Sequence, residues 1–314
     1  MKNNLILIFV FTALGAVAWL SFRKVSRKST LEKLDLNFSV SDTASIDRIL
    51  IERVNGKAAD LRRMKEGYWM LNGKYKAAPV LMDVLLTTVR NVEMLRPLSR
   101  NEALTAIESF EKRGKKVTIF VNGEAYKSYQ LGDDAPGNRG TYVRLEGGDP
   151  YVAYLRSFNG FLSPRYDVSE NEWRDRLLFS CPAEKIRMLK LIYAKMPAEN
   201  LQLSVSGHQL HLEGATSFDT AAALGILQSF RRVFAERYLE RLPARQKDSL
   251  LKAGYEYAIE IQGEDKECTA RLQLFFTSDP DRSLAYNPDT QEWLTIQNRG
   301  LYPILQRKTA LLNR

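Results

Sequence analysis

The chain has 314 residues, 45% of them hydrophobic and 26% charged, a globular composition that excludes a mainly disordered protein. Of its 46 bases and 37 acids, residues 1–28 hold five bases (Lys2, Arg23, Lys24, Arg27, Lys28) and no acid, which leaves the rest an excess of only four. An excess so small and dispersed is not the footprint of a nucleic-acid binder, and no nucleic-acid partner is expected.

Leu5 to Phe22 is an uncharged apolar run of 18 residues, about the minimum that spans a bilayer. It has two readings. As a cleaved signal it offers Lys2 ahead of the run and a small-residue site at Ala16-Val17-Ala18. As an uncleaved anchor it stays apolar through Trp19, Leu20 and Phe22 and then meets the basic flank. The anchor is favoured, because the run outlasts the roughly 7–15 residues of a signal core. Residues 1–28 thus read as anchor plus basic flank, and 29–37 as a linker. The flank raises a conflict, since positive charge after a span ordinarily stays cytoplasmic and would keep the large domain inside.

Residues 38–157 read as a first α+β lobe. Ile46 to Ile51 is a strand, Asn55-Gly56 a hairpin turn, and Tyr68 to Leu71 a strand closed by Asn72-Gly73. Pro79 suits the start of a helix with an apolar stripe at Leu81, Val84, Leu85, Thr88, Val89 and Val92. Ser99 and Glu102 match a capping box for a second helix ending near Gly114. Strands resume at Lys116–Val121, turn at Asn122-Gly123, and continue through Tyr142-Val143 and Tyr151 to Leu155.

Residues 158–184 read as a connecting segment and 185–314 as a second lobe. Strands are expected at 185–193, 201–205 and 209–212. A helix capped by Thr216 or Ser217 would present Ala221, Leu224, Leu227, Phe230 and Phe234. A short helix over 245–252 precedes strands alternating at Tyr255–Ile261 and Leu272–Phe276, and residues 301–308 close as a helix. Trp69-Met70-Leu71-Asn72-Gly73 corresponds to Leu210-His211-Leu212-Glu213-Gly214, and similar elements follow each. The expectation is an α+β protein of two similar lobes with mainly antiparallel sheets, an internal duplication behind an N-terminal transmembrane helix.

Residues that could carry chemistry are few. His208 and His211 are the only histidines, and a spacing of three on a strand points them to opposite faces. No GxSxG elbow accompanies them. Asp133-Asp134 and Asp279-Pro280-Asp281 lack the alternating ligands and closing Glu of a calcium loop and read as turns. Cys181 and Cys268 lie far apart with no CxxC pairing, which leaves either a disulfide in an exported domain or two buried thiols. No catalytic residue, metal or cofactor is expected.

The central aromatics and arginines are the candidate interaction segment: Phe158, Phe161, Arg165, Trp173 and Arg174. Packing is the favoured reading for Phe158, Phe161, Tyr166 and Trp173. Ion pairs of Arg165, Arg174 and Arg176 with Asp167, Glu170, Glu172 and Asp175 are favoured over anion binding. Ser169 and Glu172 match a capping box, which would start a short helix with Trp173 and Leu177 on a buried face and Arg174 pointing away.

Gly140-Thr141-Tyr142-Val143, Pro150-Tyr151-Val152, Phe158-Asn159-Gly160-Phe161, Ser163-Pro164-Arg165 and Glu172-Trp173-Arg174-Asp175 resemble a bacterial family, domain of unknown function 4340. Phe38 to Thr43 with Ile46 to Ile49, and Gly67 to Gly73, resemble its opening signatures, so the likeness covers most of 36–180 and weakens beyond. It implies an exported, periplasmic domain tethered to the bacterial inner membrane through residues 5–22. Some relatives are similar to auxiliary subunits of ABC transporters, gliding-motility ones included, which implies a protein partner in an envelope complex. The expected function is therefore binding or scaffolding. A hydrolase of envelope polymers with unidentified carboxylates and a cytoplasm-facing adaptor are the alternatives.

Overall fold

Alternation of apolar residues builds the first half. Ile46, Ile49 and Ile51 of strand β1 (Ile46–Arg53) are fully buried, and so is Leu61 of β2 (Ala59–Arg63). β3 (Trp69–Leu71) and β4 (Tyr75–Lys76) complete a meander. Pro79 begins helix α1 (Pro79–Asn91), which buries Met82, Leu85, Thr88 and Val89. Val92, expected as the last residue of that stripe, instead turns extended and opens β5 (Val92–Pro97) on the edge of the sheet. Helix α2 (Arg100–Arg113) is capped by Ser99, whose hydroxyl accepts from the Glu102 N–H at 3.3 Å. Strands β6 (Lys115–Val121), β7 (Glu124–Asp134), β8 (Thr141–Leu145) and β9 (Pro150–Leu155) and the short helix α3 (Ser163–Tyr166) follow. The result is a nine-stranded antiparallel sheet in the order β4-β3-β2-β1-β6-β7-β8-β9-β5.

This computed structural model describes residues 38–312 except 138, 139, 157, 208, 266 and 267, so the run Leu5–Phe22, its flank, the linker and His208 lie outside the described residues. Among the described residues no helix is long and apolar enough to cross a membrane. The chain divides into two units, one ending at Val168 and one beginning at Ser169, so the stretch read as a connection at 158–184 is shared between them.

The second unit opens with helix α4 (Glu170–Trp173), β10 (Leu177–Phe179), β11 (Ile186–Tyr193), β12 (Leu201–Ser206) and β13 (Gln209–Leu212). Helix α5 (Thr220–Gln228), β14 (Val233–Phe234), β15 (Arg237–Tyr238) and helix α6 (Ala244–Ala253) come next. β16 (Tyr257–Gly263), β17 (Ala270–Phe276), β18 (Arg282–Asn287), β19 (Glu292–Gln297) and the short helices α7 (Asn298–Leu301) and α8 (Lys308–Leu311) finish the chain. Its antiparallel sheet runs β13-β12-β11-β16-β17-β18-β19-β15, with β10 and β14 paired separately.

Three expectations need correction here. Asp219, not Thr216 or Ser217, caps α5, and the helix ends at Gln228; its buried face is Ala223, Ile226 and Leu227, while Phe234 sits exposed on β14. The change follows from a 3₁₀ turn at Ser229–Arg231, which rotates the chain out of helical register before Phe234. Residues 301–308 do not form one helix, because Pro303 stands in the middle and cannot continue the hydrogen-bond ladder. Leu177 belongs to β10, since α4 ends at Trp173 with Arg174 extended.

Removing β4 makes the two strand orders correspond element for element. The register agrees as well. The β1–β6 ladder slips between Ile46 and Arg48, and the β11–β16 ladder between Ile186 and Met188. Leu61 faces Leu71 across one hairpin, and Leu203 faces Leu212 across the other. The fold is thus α+β, built on mainly antiparallel sheets.

Candidate binding groove

The central segment is packed, and the packing explains its motifs. Thr141 is fully buried; its hydroxyl donates to Asp134 at 2.9 Å and accepts the Leu162 N–H at 2.8 Å. Ser163 donates to the same Asp134 oxygen at 2.6 Å. Gly140 has φ +113°, and a Cβ there would collide with the Ala153 carbonyl, so only glycine admits this approach. The Gly-Thr-Tyr-Val and Ser-Pro-Arg motifs therefore lace residues 162–166 onto β8. Arg165 stacks over the Phe158 ring at 4.3 Å and donates to Thr88 Oγ1 at 3.1 Å. Phe158 is 40% exposed and Phe161 half-buried. Tyr166 and Tyr129 share a buried hydroxyl–hydroxyl hydrogen bond of 3.0 Å, and burial pushes the Tyr166 phenol up to about 12.

In the second unit, Trp173 is fully buried beside a complete capping box of Ser169 and Glu172. Arg174 departs from expectation. It is 7% exposed, stacks 3.7 Å from the Tyr238 ring centroid and pairs with Glu292 at 2.9 Å. Extended backbone after Trp173 sends it inward, and a planar guanidinium satisfies ring and carboxylate together. Arg176 donates to the Glu236 carbonyl at 2.7 Å. Phe158, Phe161 and Arg165 belong to the first unit and Trp173 and Arg174 to the second. Trp173 and Arg174 are buried, so the five candidates are not all surface residues.

A concavity with apolar walls lies elsewhere, in the second unit. A groove of about 880 Å³ opens between α5 and the β12–β13 hairpin. Its walls are Pro182 and Ala183 on one side, Val205 and Leu210 on the hairpin, and Leu224 and Leu227 on α5. Glu184, Arg187 and Arg231 stand among them. Leu224 is 42% exposed, an apolar side chain turned to open space. A volume in the range of 300–1,000 Å³ with apolar walls and a few charges suits a binding site.

One wall is fastened covalently. Cys181, next to Pro182, is bonded to Cys268, 87 residues on. Arg187 pairs with Glu264 and Lys185 with Asp265 at 2.8 Å, and Glu264 N–H donates to the Lys185 carbonyl at 3.1 Å. The turn 182–185 is thus tied to the loop before Cys268. Among the described residues no group of three His, Cys, Asp or Glu side chains could hold a metal ion. His211, on β13, is exposed.

The chain matches the family described as a domain of unknown function, DUF4340, over residues 69–253. It belongs to this family. The match starts later than the likeness read from the sequence and runs further, from β3 of the first unit through α6 of the second, so the DUF4340 region includes the groove. No curated protein and no solved structure matches the chain. The groove of this DUF4340 protein escaped the sequence reading because its walls are ordinary Val and Leu. The signal available was a comparison of the two hairpins, where Arg63 and Trp69 stand against Val205 and Leu210.

Proposed function

We propose that this chain is a membrane-anchored, extracytoplasmic binding domain, built from a duplicated α+β module and working with a protein partner in the bacterial envelope. The observation that carries the reading is the Cys181–Cys268 disulfide. Such bonds persist in oxidising compartments and are rare in a reducing cytosol. That weighs against the basic flank at Arg23–Lys28, which argues for a cytoplasmic domain. The 18-residue run Leu5–Phe22 supplies the anchor in this reading. The matching strand orders and ladder slips support duplication. The apolar groove supports binding as the activity.

The test is a topology reporter fused after Arg314, with maleimide labelling of Cys181 and Cys268 in intact cells. The expected result is an export-only reporter that is active, a full-length chain in the membrane fraction, and thiols that label only after reduction. An active cytoplasm-only reporter with freely labelled thiols overturns the reading.

A further inference from the structure

The hairpins β2–β3 and β12–β13 hold the same place in the two sheets and differ at the same end in two ways. In the first unit Arg63 faces Trp69 across the hairpin; its guanidinium lies 4.9 Å from the indole centroid and donates to the carbonyls of Ile46 at 2.9 Å and Thr43 at 2.8 Å. Trp69 is 6% exposed. This stack closes the end of the hairpin. In the second unit the facing pair is Val205 and Leu210, and both line the groove.

The second difference is β4. In the first unit it lies beside β3, and Ala77 N–H donates to the Trp69 carbonyl at 2.7 Å. In the second, β13 ends the sheet. The phase of the backbone is the same on both sides: Lys74 N–H donates to the Leu71 carbonyl, and Ala215 N–H to that of Leu212. Leu210 therefore directs its peptide groups outward as Trp69 does, with no strand beside them among the described residues.

We propose that the groove receives an extended segment of a partner protein, which pairs antiparallel with β13 and inserts a large aromatic side chain between Leu210 and Leu224. The first unit shows what fills such a place, an indole under an added strand. The partner supplies what the second unit lacks. Edge pairing gives affinity through the main chain and the groove gives selectivity through one side chain. The inference rests on the binding-domain reading and names the partner chemistry of that groove.

The experiment uses the full-length oxidised chain in detergent micelles and a phage-displayed library of random peptides. Enriched peptides are expected to carry a central Trp, Tyr or Phe in an extended context and to protect residues 209–212 from hydrogen exchange. Replacing that aromatic by Ala in the synthetic peptide should weaken binding roughly thirtyfold, as for a buried interface anchor. Val205→Arg with Leu210→Trp, which copies the first unit, should abolish capture. Leu224→Asp, at an exposed position, should do so without touching the fold. No enrichment, enrichment without an aromatic, or binding by either variant as strong as by the unaltered chain overturns the proposal. An active export-only reporter beside any of these results leaves the extracytoplasmic reading standing, so the two failures are told apart.

Discussion

In the first unit the hairpin between β6 and β7 turns at Asn122-Gly123, and Gly123 N–H donates to Asp47 at 2.5 Å, while Lys127 reaches the Ser39 carbonyl at 3.0 Å. In the second, the corresponding hairpin between β16 and β17 takes a longer loop from Glu264 to Thr269, held by the disulfide and the pairs of Lys185 and Arg187. The strands entering the two sheets are otherwise anchored alike: Val40 N–H donates to the Val89 carbonyl at 3.0 Å and Cys181 N–H to that of Phe230 at 3.1 Å. Cys181 stands where Val40 stands. A two-residue turn has little freedom to lose, and hydrogen bonds hold it. The longer loop is tied to Cys181 instead, and that bond closes a loop of 87 residues in the unfolded chain, which is where its entropic stabilisation arises.

The largest expected effect breaks that tie. Cys181→Ala with Cys268→Ala should destabilise the second unit by about 2–5 kcal/mol, the usual cost of losing a native disulfide. Hydrogen exchange by mass spectrometry should show protection falling between residues 169 and 314 and holding between 38 and 168. Equal loss in both units would mean that the bond supports the whole chain and that the contrast drawn between the two hairpins is wrong.

A smaller effect should follow from making the first unit resemble the second. Trp69→Leu removes most of a buried ring beneath Arg63, and truncation of this kind costs about 1–3 kcal/mol when part of the side chain remains. The loss should appear as faster exchange in β2 and β3. Leu210→Trp alone enters open space and should change stability by less than about 0.5 kcal/mol. If Leu210→Trp proved as costly as Trp69→Leu, the groove would be too narrow to admit an aromatic.

The sheets were legible because their strands alternate or carry strong turn dipeptides, as Ile46–Ile51 and Asn122-Gly123 do. What escaped were the edge strands β5 and β15, whose pairing is set at long range, and the interior hairpin strands β18 and β19. Trp173 could be placed inside from its capping box and ring size. Arg174 could not, because its partner Glu292 lies 118 residues away while acids adjoin it in sequence. The disulfide was open for the same reason, since spacing alone does not bring Cys181 and Cys268 together. Groove and plug differ in two facing side chains and in β4; the sequence aligned Trp69 with Leu210, and the register adds Arg63 with Val205.

The smallest effect concerns charge on the first hairpin. Asp60 of β2 pairs with Arg48 at 2.7 Å and Arg62 at 2.9 Å. Partial burial pushes the Asp60 carboxyl up, but hydrogen bonds and attraction from the two guanidiniums outweigh it and hold it below its ordinary value. In the second unit Gln202 faces Lys190 at the place where Asp60 faces Leu50, so no carboxylate occupies it. A depressed pKa means that the folded state binds fewer protons than the unfolded one, so this contribution is complete above the ordinary carboxylate value of about 4. It fades as the pH falls through the lower, folded value. The pairs are partly solvated, so each contributes under about 1 kcal/mol. Asp60→Asn should therefore speed exchange in β1 and β2 slightly at pH 7 and leave β11 and β12 unchanged. Once the pH has fallen below the lowered, folded-state value, the variant and the unaltered chain should converge as Asp60 takes up its proton. A gap that stays constant down to low pH would show that Asp60 acts by shape and hydrogen bonding alone.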